Sequence, residues 1–169
     1  MNEAQSELMD WLRDAHAMEK QAETMLSSTA DRLDDYPELQ AKLRQHYEET
    51  CEQARLVGQC LERLGEDTST VKDVMGKTTA MAQAFSGVFA SDEVVKAAMA
   101  SYTFEHMEIA AYRTLIAAAE LVGDHETKRV CEMILPQEEA MAKWLQERLA
   151  TVTQQFLTRE MGSESSIRR

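Results

Sequence analysis

The stretch SYTFEHMEIAAYRTL, residues 101–115, decides how this chain folds, because it has the spacing of a helix with two acids on its apolar side. Steps of three or four residues from Val94 define one stripe. The stripe contains Ala98, Ser101, Glu105, Glu108, Tyr112, Leu115 and Ala119. Glu105 and Glu108 therefore occupy positions where a helix normally presents leucine to its neighbours. Two carboxylates that face a helical core need a chemical explanation.

The composition of the whole chain favours an all-helical domain. The 169 residues include only two prolines and six glycines, which are the residues that interrupt helices. Alanine, glutamate, leucine, methionine and glutamine predominate, and no alternating β-branched run predicts a strand. The length is sufficient for one domain with a sizeable core, which we place at residues 1–160.

The charge and the cysteines restrict the partners and the compartment. A formal net charge of -12 repels nucleic-acid phosphates and anionic membrane surfaces. The N-terminus lacks the pattern of a secretory signal, and no apolar run reaches about 18 residues. Cys51, Cys60 and Cys131 are odd in number and lack metal-knuckle spacing, which is typical of reduced thiols. We therefore expect a cytoplasmic protein with no nucleic-acid or membrane partner.

Turn signals divide the chain into four long helices. Pro37 ends the first helix and suits the first turn of the second, which stops at Gly65. Ser91 is a candidate cap for the third helix, which ends near Gly123. The predicted spans are about 4–33, 37–64, 92–123 and 125–157. Residues 161–169 have no apolar period and are expected to form a disordered tail.

The lengths of the connections predict the topology. The first two helices and the last two are each joined by a tight turn, so each pair forms an antiparallel hairpin. The segment 65–91 is long enough to return along a helix of about 40 Å, and its apolar residues predict a short helix within it. Two hairpins joined by one long crossover form a ferritin-like four-helix bundle. The alternative, a simple up-down-up-down bundle, does not need a connecting segment of this length.

The other three helices also carry a glutamate on or beside their apolar stripe. Glu19 lies on the first stripe and Glu138 on the fourth, while Glu49 flanks the second stripe, which contains His46 and Gln53. Counted from the turns, the acids of each hairpin lie within about one helical turn of each other. Five carboxylates are therefore predicted to converge at the middle of the bundle. They belong to Glu19, Glu49, Glu105, Glu108 and Glu138.

Several carboxylates at one buried point must take up protons, pair with cations or bind metal, because burial is costly and like charges repel. No lysine or arginine lies on the central part of any stripe. Oxygen ligands with one imidazole or amide suit iron or manganese better than copper or a thiolate-rich zinc site. The sequence thus predicts a site for metal, iron or manganese. His46, Gln53 and Tyr112 are further candidates as ligands or as hydrogen-bond partners of ligands, and each also fits an ordinary core position.

Pro136 lies inside the predicted fourth helix, just before Glu138. Proline removes one N–H group from the helix and leaves the carbonyl of Glu132 without its usual partner, so a kink or bulge is expected. Such a kink would change the direction of the Glu138 side chain. A kink without any function is the equal alternative.

Five stretches of the chain resemble the YciE/YciF family of bacterial ferritin-like proteins, and its YciE branch in particular. They are DWLRDAHAMEKQAE (10–23), YPEL (36–39), SDEVVK (91–96), FEHMEIAAY (104–112) and EEAMAKWL (138–145). The resemblance implies a ferritin-like four-helix fold, a homodimer, a stress-linked bacterial setting and a di-metal site, without a settled activity. By family position, the metal ligands would be Glu19, Glu49, Glu105, Glu108 and Glu138.

The chain departs from the wider di-iron pattern, which uses Glu-x-x-His on two helices. Glu49 is followed three residues later by Glu52, and Glu138 by Met141. Glu105-x-x-Glu108 resembles the doubled glutamate of rubrerythrin-like proteins, but no Cys-x-x-Cys pair accompanies it. Two functions stay open: a di-metal protein that oxidises iron or turns over peroxide or oxygen, and a structural or binding helical dimer of the stress response with a vestigial site. Mineral storage in a cage is a weaker third alternative.

Overall fold

The computed structural model of the protein describes residues 2–66 and 94–167, which fold into four long helices. The helices are α1 (Glu3–Ala30), α2 (Pro37–Arg63), α3 (Val94–Val122) and α4 (His125–Ile167). No strand occurs in these two ranges. The predicted all-α class is confirmed. No helix within them combines the length and apolar character that crossing a membrane requires.

Local signals explain where these helices begin and end. Asn2 caps α1: its side chain accepts the backbone N–H of Gln5 at 2.9 Å, and the Gln5 side chain accepts the Asn2 N–H at 3.0 Å. Gly65 and Gly123 follow α2 and α3 with φ angles of 93° and 77°, a conformation that favours glycine. Asp124 then caps α4 by accepting the backbone N–H of Thr127 at 3.1 Å.

The helices pack with ferritin-like connectivity. α1 and α4 each contact both α2 and α3, whereas α2 and α3 lie diagonally opposite and share no backbone contact among their described residues. Arg63 at the end of α2 binds Asp124 just before α4, and Glu38 near the start of α2 binds Arg148 of α4, so these helices are antiparallel. α2 and α3 are consequently parallel, and α3 begins at the opposite end of the bundle from the end of α2. The crossover topology is confirmed, and the up-down-up-down alternative is wrong.

The crossover between α2 and α3 falls largely outside the described residues. The short helix predicted within 65–91 and the predicted cap at Ser91 both lie there. Val94, where α3 begins, is the first described residue after this gap.

The fourth helix is longer than predicted. It runs through Pro136 without interruption and ends at Ile167 rather than near Leu157, so the segment expected to be a disordered tail is helical up to that residue. The physical reason is that extending a helix already formed costs little, and residues 158–167 contain no proline to stop it. Residues 161–163 are nonetheless exposed to solvent.

The interior has a polar layer between two apolar layers. Leu8, Leu12 and Leu61 are buried in the apolar layer at the end where α1 begins. Leu43 and Leu145 are buried in the layer at the opposite end. Most of the buried polar side chains lie between these layers, at the middle of the helices. The bundle therefore isolates a polar centre from water at both ends.

Candidate metal centre

Each of the four helices contributes to the polar centre. We call seven of its side chains the core cluster: Glu19 of α1, His46 and Gln53 of α2, Glu105, Glu108 and Tyr112 of α3, and Glu138 of α4. All seven are at most 2% exposed. Their positions along four different helices follow from the stripe spacing, because side chains three or four residues apart share a helix face.

Four members of the core cluster have the spacing of metal ligands. His46, Glu105, Glu108 and Glu138 each offer one nitrogen or oxygen atom, and these atoms lie within 4.8 Å of one another. Small divalent ions bind such ligands at about 2.1 Å, which places opposite ligands about 4 Å apart. The four side chains would therefore need only small movements to surround one ion.

The imidazole of His46 stands between the core and the surface. Its Nδ1 atom lies 2.9 Å from Oε2 of Glu49, and its Nε2 atom lies 3.2 Å from Oε2 of Glu105 and 3.4 Å from Oε2 of Glu138. Burial alone would lower the pKa of His46, but these carboxylates raise it well above its ordinary value. A protonated His46 would thus neutralise part of the negative charge of the cluster.

Tyr112 and Gln53 bind two of the carboxylates. The hydroxyl of Tyr112 donates to Oε1 of Glu19. The amide nitrogen of Gln53 donates to Oε1 of Glu138 and, at 2.8 Å, to Oε1 of Gln137. Burial raises the pKa of Tyr112 well above its ordinary value, so the phenol stays a donor. Each of these two acidic side chains therefore has one oxygen in a hydrogen bond and the other available to bind a proton or a cation.

Five oxygen atoms of the core cluster have no hydrogen-bond donor in good geometry among the described residues, although Nε2 of His46 lies 3.2 Å from Oε2 of Glu105 and 3.4 Å from Oε2 of Glu138. They are Oε2 of Glu19, Oε1 of Gln53, Oε2 of Glu105, Oε1 of Glu108 and Oε2 of Glu138. Each buried acceptor without a partner costs about 1–3 kcal/mol. Burial also raises the pKa of Glu105 to about 8, and it raises the pKa values of Glu19 and Glu108 well above the ordinary value. Such oxygens bind a proton or a cation, and this donor set fits a hard or borderline divalent metal.

The structure brings together four of the five predicted glutamates: Glu19, Glu105, Glu108 and Glu138. Glu49 lies at the edge, with a side chain that is 29% exposed and that accepts from Gln45 at 3.2 Å. Its hydrogen bond with His46 lowers its pKa below the ordinary value. His46 was the weaker candidate in the sequence, yet it is inside the cluster. The sequence contained a signal for this outcome, because His46 lies on the apolar stripe of α2, whereas Glu49 lies only beside it.

The crossover topology and the buried carboxylate–histidine cluster together define a ferritin-like four-helix protein. Residues 3–158 match the family model described as "Domain of unknown function (DUF892)". The chain belongs to this family, and it shares its fold with YciF, one of the ferritin-like proteins that the sequence motifs resemble.

Solved structures share this fold. A protein from Xanthomonas campestris pv. campestris is 39% identical, with a TM-score of 0.76 over 94% of this chain and 99% of that chain. The stress protein YciF of E. coli is 21% identical, with a TM-score of 0.71 over 91% and 99% of the two chains. YcfI from Rhodopseudomonas palustris is 25% identical, with a TM-score of 0.66 over 86% and 94%. The likeness to YciF shows a common fold.

Proposed function

We propose that this protein binds two divalent metal ions, iron or manganese, in the core cluster. The observation that carries the proposal is the group of five buried oxygens that have no hydrogen-bond donor in good geometry within the described part of the chain. The ligands would be Glu19, His46, Glu105, Glu108 and Glu138, with Gln53 as a further oxygen donor. Four carboxylates, one imidazole and one amide are enough donors for two ions, and the ions would remove the repulsion between the carboxylates.

The chain's own residues would prepare this site. Tyr112 binds one oxygen of Glu19, and Gln53 binds one oxygen of Glu138, so the other oxygen of each carboxylate remains to bind a metal ion. The apolar layers at both ends exclude water, which strengthens electrostatic interactions within the cluster. Bound iron would supply one-electron chemistry towards oxygen or peroxide. A stress-linked role in the bacterial cytoplasm is part of the proposal and rests on the motifs alone.

Metal binding is tested directly by titration. Protein purified without chelator is analysed for metal, stripped, and titrated with Fe(II) under anaerobic conditions or with Mn(II). We expect about two ions per chain. We also expect about 2.7 kcal/mol of added stability at a metal concentration one hundred times the dissociation constant. A melting temperature that is indifferent to both ions would contradict the proposal.

A structural role with a vestigial site is the second candidate function. The observation that favours it is that the cluster has partners of its own: Tyr112 binds Glu19, Gln53 binds Glu138, and His46 lies beside Glu105. If the remaining carboxylates are protonated, these contacts would allow the bundle to remain folded without metal. The same titration separates the two functions, because a vestigial site predicts folded protein with no bound ion.

A further inference from the structure

At the height of the core cluster, two opposite sides of the bundle differ in chemistry. The groove between α1 and α3 has a volume of about 360 Å³ and is lined mainly by apolar side chains, among them Trp11, Met18, Met107 and Ala111. Met18 precedes Glu19 in sequence and Met107 precedes Glu108, so this groove runs directly beside the cluster. An ion that passed Met18 and Met107 would lose its water without gaining oxygen ligands from them, which is costly.

The opposite side, between α2 and α4, is polar at the same height. We call Gln45, Glu49, Gln53 and Gln137 the α2–α4 seam. Gln53 is buried and donates to Gln137 at 2.8 Å, and Gln137 is exposed. His46 is buried and lies 2.9 Å from Glu49, which is partly exposed. Among the described residues, these are the two hydrogen bonds that join a member of the core cluster to a side chain outside it.

One polar atom of this seam is buried although no group among the described residues satisfies it. Oε1 of Gln53 is buried without a hydrogen-bond partner, although the amide nitrogen of the same side chain makes two bonds. It belongs to the side chain that connects exposed Gln137 with buried Glu138. An amide oxygen in this place offers a cation a ligand between the surface and the cluster.

We propose that divalent metal ions enter and leave the core cluster along the α2–α4 seam, with Glu49 as a transit ligand that captures them at the surface. This inference rests on the proposed function. The ion exchanges its waters one at a time, first for the carboxylate of Glu49 and then for Oε1 of Gln53 and the carboxylate of Glu138. The net charge of -12 draws cations to the protein in general, and the seam selects where they cross.

The rates of metal uptake and release test the role of Glu49. Co(II) serves as the probe: uptake by the metal-free protein is followed by stopped-flow absorption, and release is followed by transfer to an excess of coloured chelator. We expect Glu49→Gln to slow both rates about tenfold, the factor that corresponds to about 1.4 kcal/mol of lost stabilisation of the transit state. Glu49→Asp keeps the carboxylate and should restore most of the rate.

Two matched variants remove one charge elsewhere. Glu52→Gln changes an exposed glutamate on α2, and Asp14→Asn changes an exposed acid at the apolar groove between α1 and α3. Both should keep uptake and release within about twofold of the parent, because long-range attraction by one exposed charge is screened by salt. Melting curves of the metal-free variants verify that each is folded.

The outcomes separate the alternatives. Faster release from Glu49→Gln with unchanged uptake would make Glu49 an ordinary ligand and overturn the transit role. Equal slowing by Asp14→Asn would assign the effect to overall charge and overturn it as well. A parent protein that takes up no Co(II), Fe(II) or Mn(II) would overturn the proposed function itself, and this inference with it.

Discussion

The hydroxyl of Tyr112 on α3 donates a hydrogen bond to Oε1 of Glu19 on α1. The other oxygen of the same carboxylate, Oε2, is buried and accepts no bond. Tyr112 thus determines which oxygen of Glu19 is offered to the rest of the core cluster. It also links two antiparallel helices through the polar layer, where apolar packing between them is interrupted.

Removing the hydroxyl of Tyr112 should weaken the metal-free protein. Tyr112→Phe leaves Glu19 with two buried oxygens that lack partners, so we expect the free energy of unfolding to fall by about 1–3 kcal/mol. Urea denaturation in the presence of a chelator measures this change. Tyr102→Phe, at a half-buried position on the same helix, is the matched control and should stay within about 0.5 kcal/mol. Equal stability of Tyr112→Phe and the parent would show that the hydrogen bond is not needed.

The metal-free protein should become less stable as pH rises through neutrality. Burial raises the pKa of Glu105 to about 8 and those of Glu19 and Glu108 well above the ordinary value. Between about pH 4.3, the unfolded glutamate pKa, and about pH 8, the native state therefore binds protons that the unfolded chain has released. The raised pKa of His46 acts in the same direction above about pH 6.5. Stability from these groups is present at the acidic end of the window and is lost towards the alkaline end.

Urea denaturation curves at several pH values measure the slope. We expect the free energy of unfolding to fall by about 1.4 kcal/mol per pH unit for each extra proton that the native state holds. The measurements should stay above about pH 6.5, because the lowered pKa of His16 gives an opposite slope below the ordinary histidine pKa, and the lowered pKa of Glu49 does so below the ordinary glutamate pKa of about 4.3. A stability that is flat or that rises with pH in this window would contradict the raised pKa values.

The parts of the fold that the sequence predicted depend on rigid local geometry. A helix repeats every 3.6 residues and rises about 1.5 Å per residue, so stripe position and distance from a turn place a side chain without knowledge of the packing. This reasoning located Glu19, Glu105, Glu108 and Glu138 at one height. It also predicted the crossover, because the length of segment 65–91 excludes a tight turn.

The parts that the sequence did not predict depend on contacts between helices. Glu49 and His46 are three residues apart on α2, and only the packing of α2 against α4 decides which of them faces Glu138. Stripe position and distance from the turns predicted Glu49 as a ligand and His46 as a weaker candidate, whereas the structure has His46 inside the cluster and Glu49 at its edge. Gln137 gave no signal at all, because an exposed glutamine on α4 resembles any other surface residue until Gln53 is found to bind it. The end of α4 at Ile167 has no sequence signal either.

Association into a homodimer stays a prediction. Apolar side chains outside the central stripes motivate it; among the described residues, Trp11 is 40% exposed and Leu121 is 83% exposed. Both line a second groove between α1 and α3, next to the start of α1. Monomeric proteins rarely leave a contiguous apolar surface uncovered. Light scattering should give twice the chain mass at micromolar concentration, and Trp11→Asp should shift the mass towards the monomer. A monomeric parent would contradict the prediction.

The paired carboxylates of α3 distinguish a metal site from a salt-bridge network and from a vestigial site. Glutamine matches the size of a protonated glutamate, so Glu105→Gln combined with Glu108→Gln should leave the metal-free fold equal or more stable near neutral pH, because the raised pKa values show that the native state resists their ionisation. The same double variant should lose the stabilisation by Fe(II) or Mn(II), since two ligands are gone.

The matched control for that variant is Glu48→Gln combined with Glu147→Gln, which makes the same two substitutions at exposed positions and should keep the metal response. Melting curves of the three proteins, with and without each ion, separate the cases. A structural salt-bridge network predicts that the Glu105 and Glu108 substitutions destabilise the metal-free protein, because they would leave the His46 cation buried without its partner. A vestigial site predicts that neither ion changes the melting temperature, even for the parent. A metal site alone predicts all three results together: metal raises the melting temperature of the parent and of the control, metal leaves that of the Glu105 and Glu108 double variant unchanged, and this double variant is stable without metal.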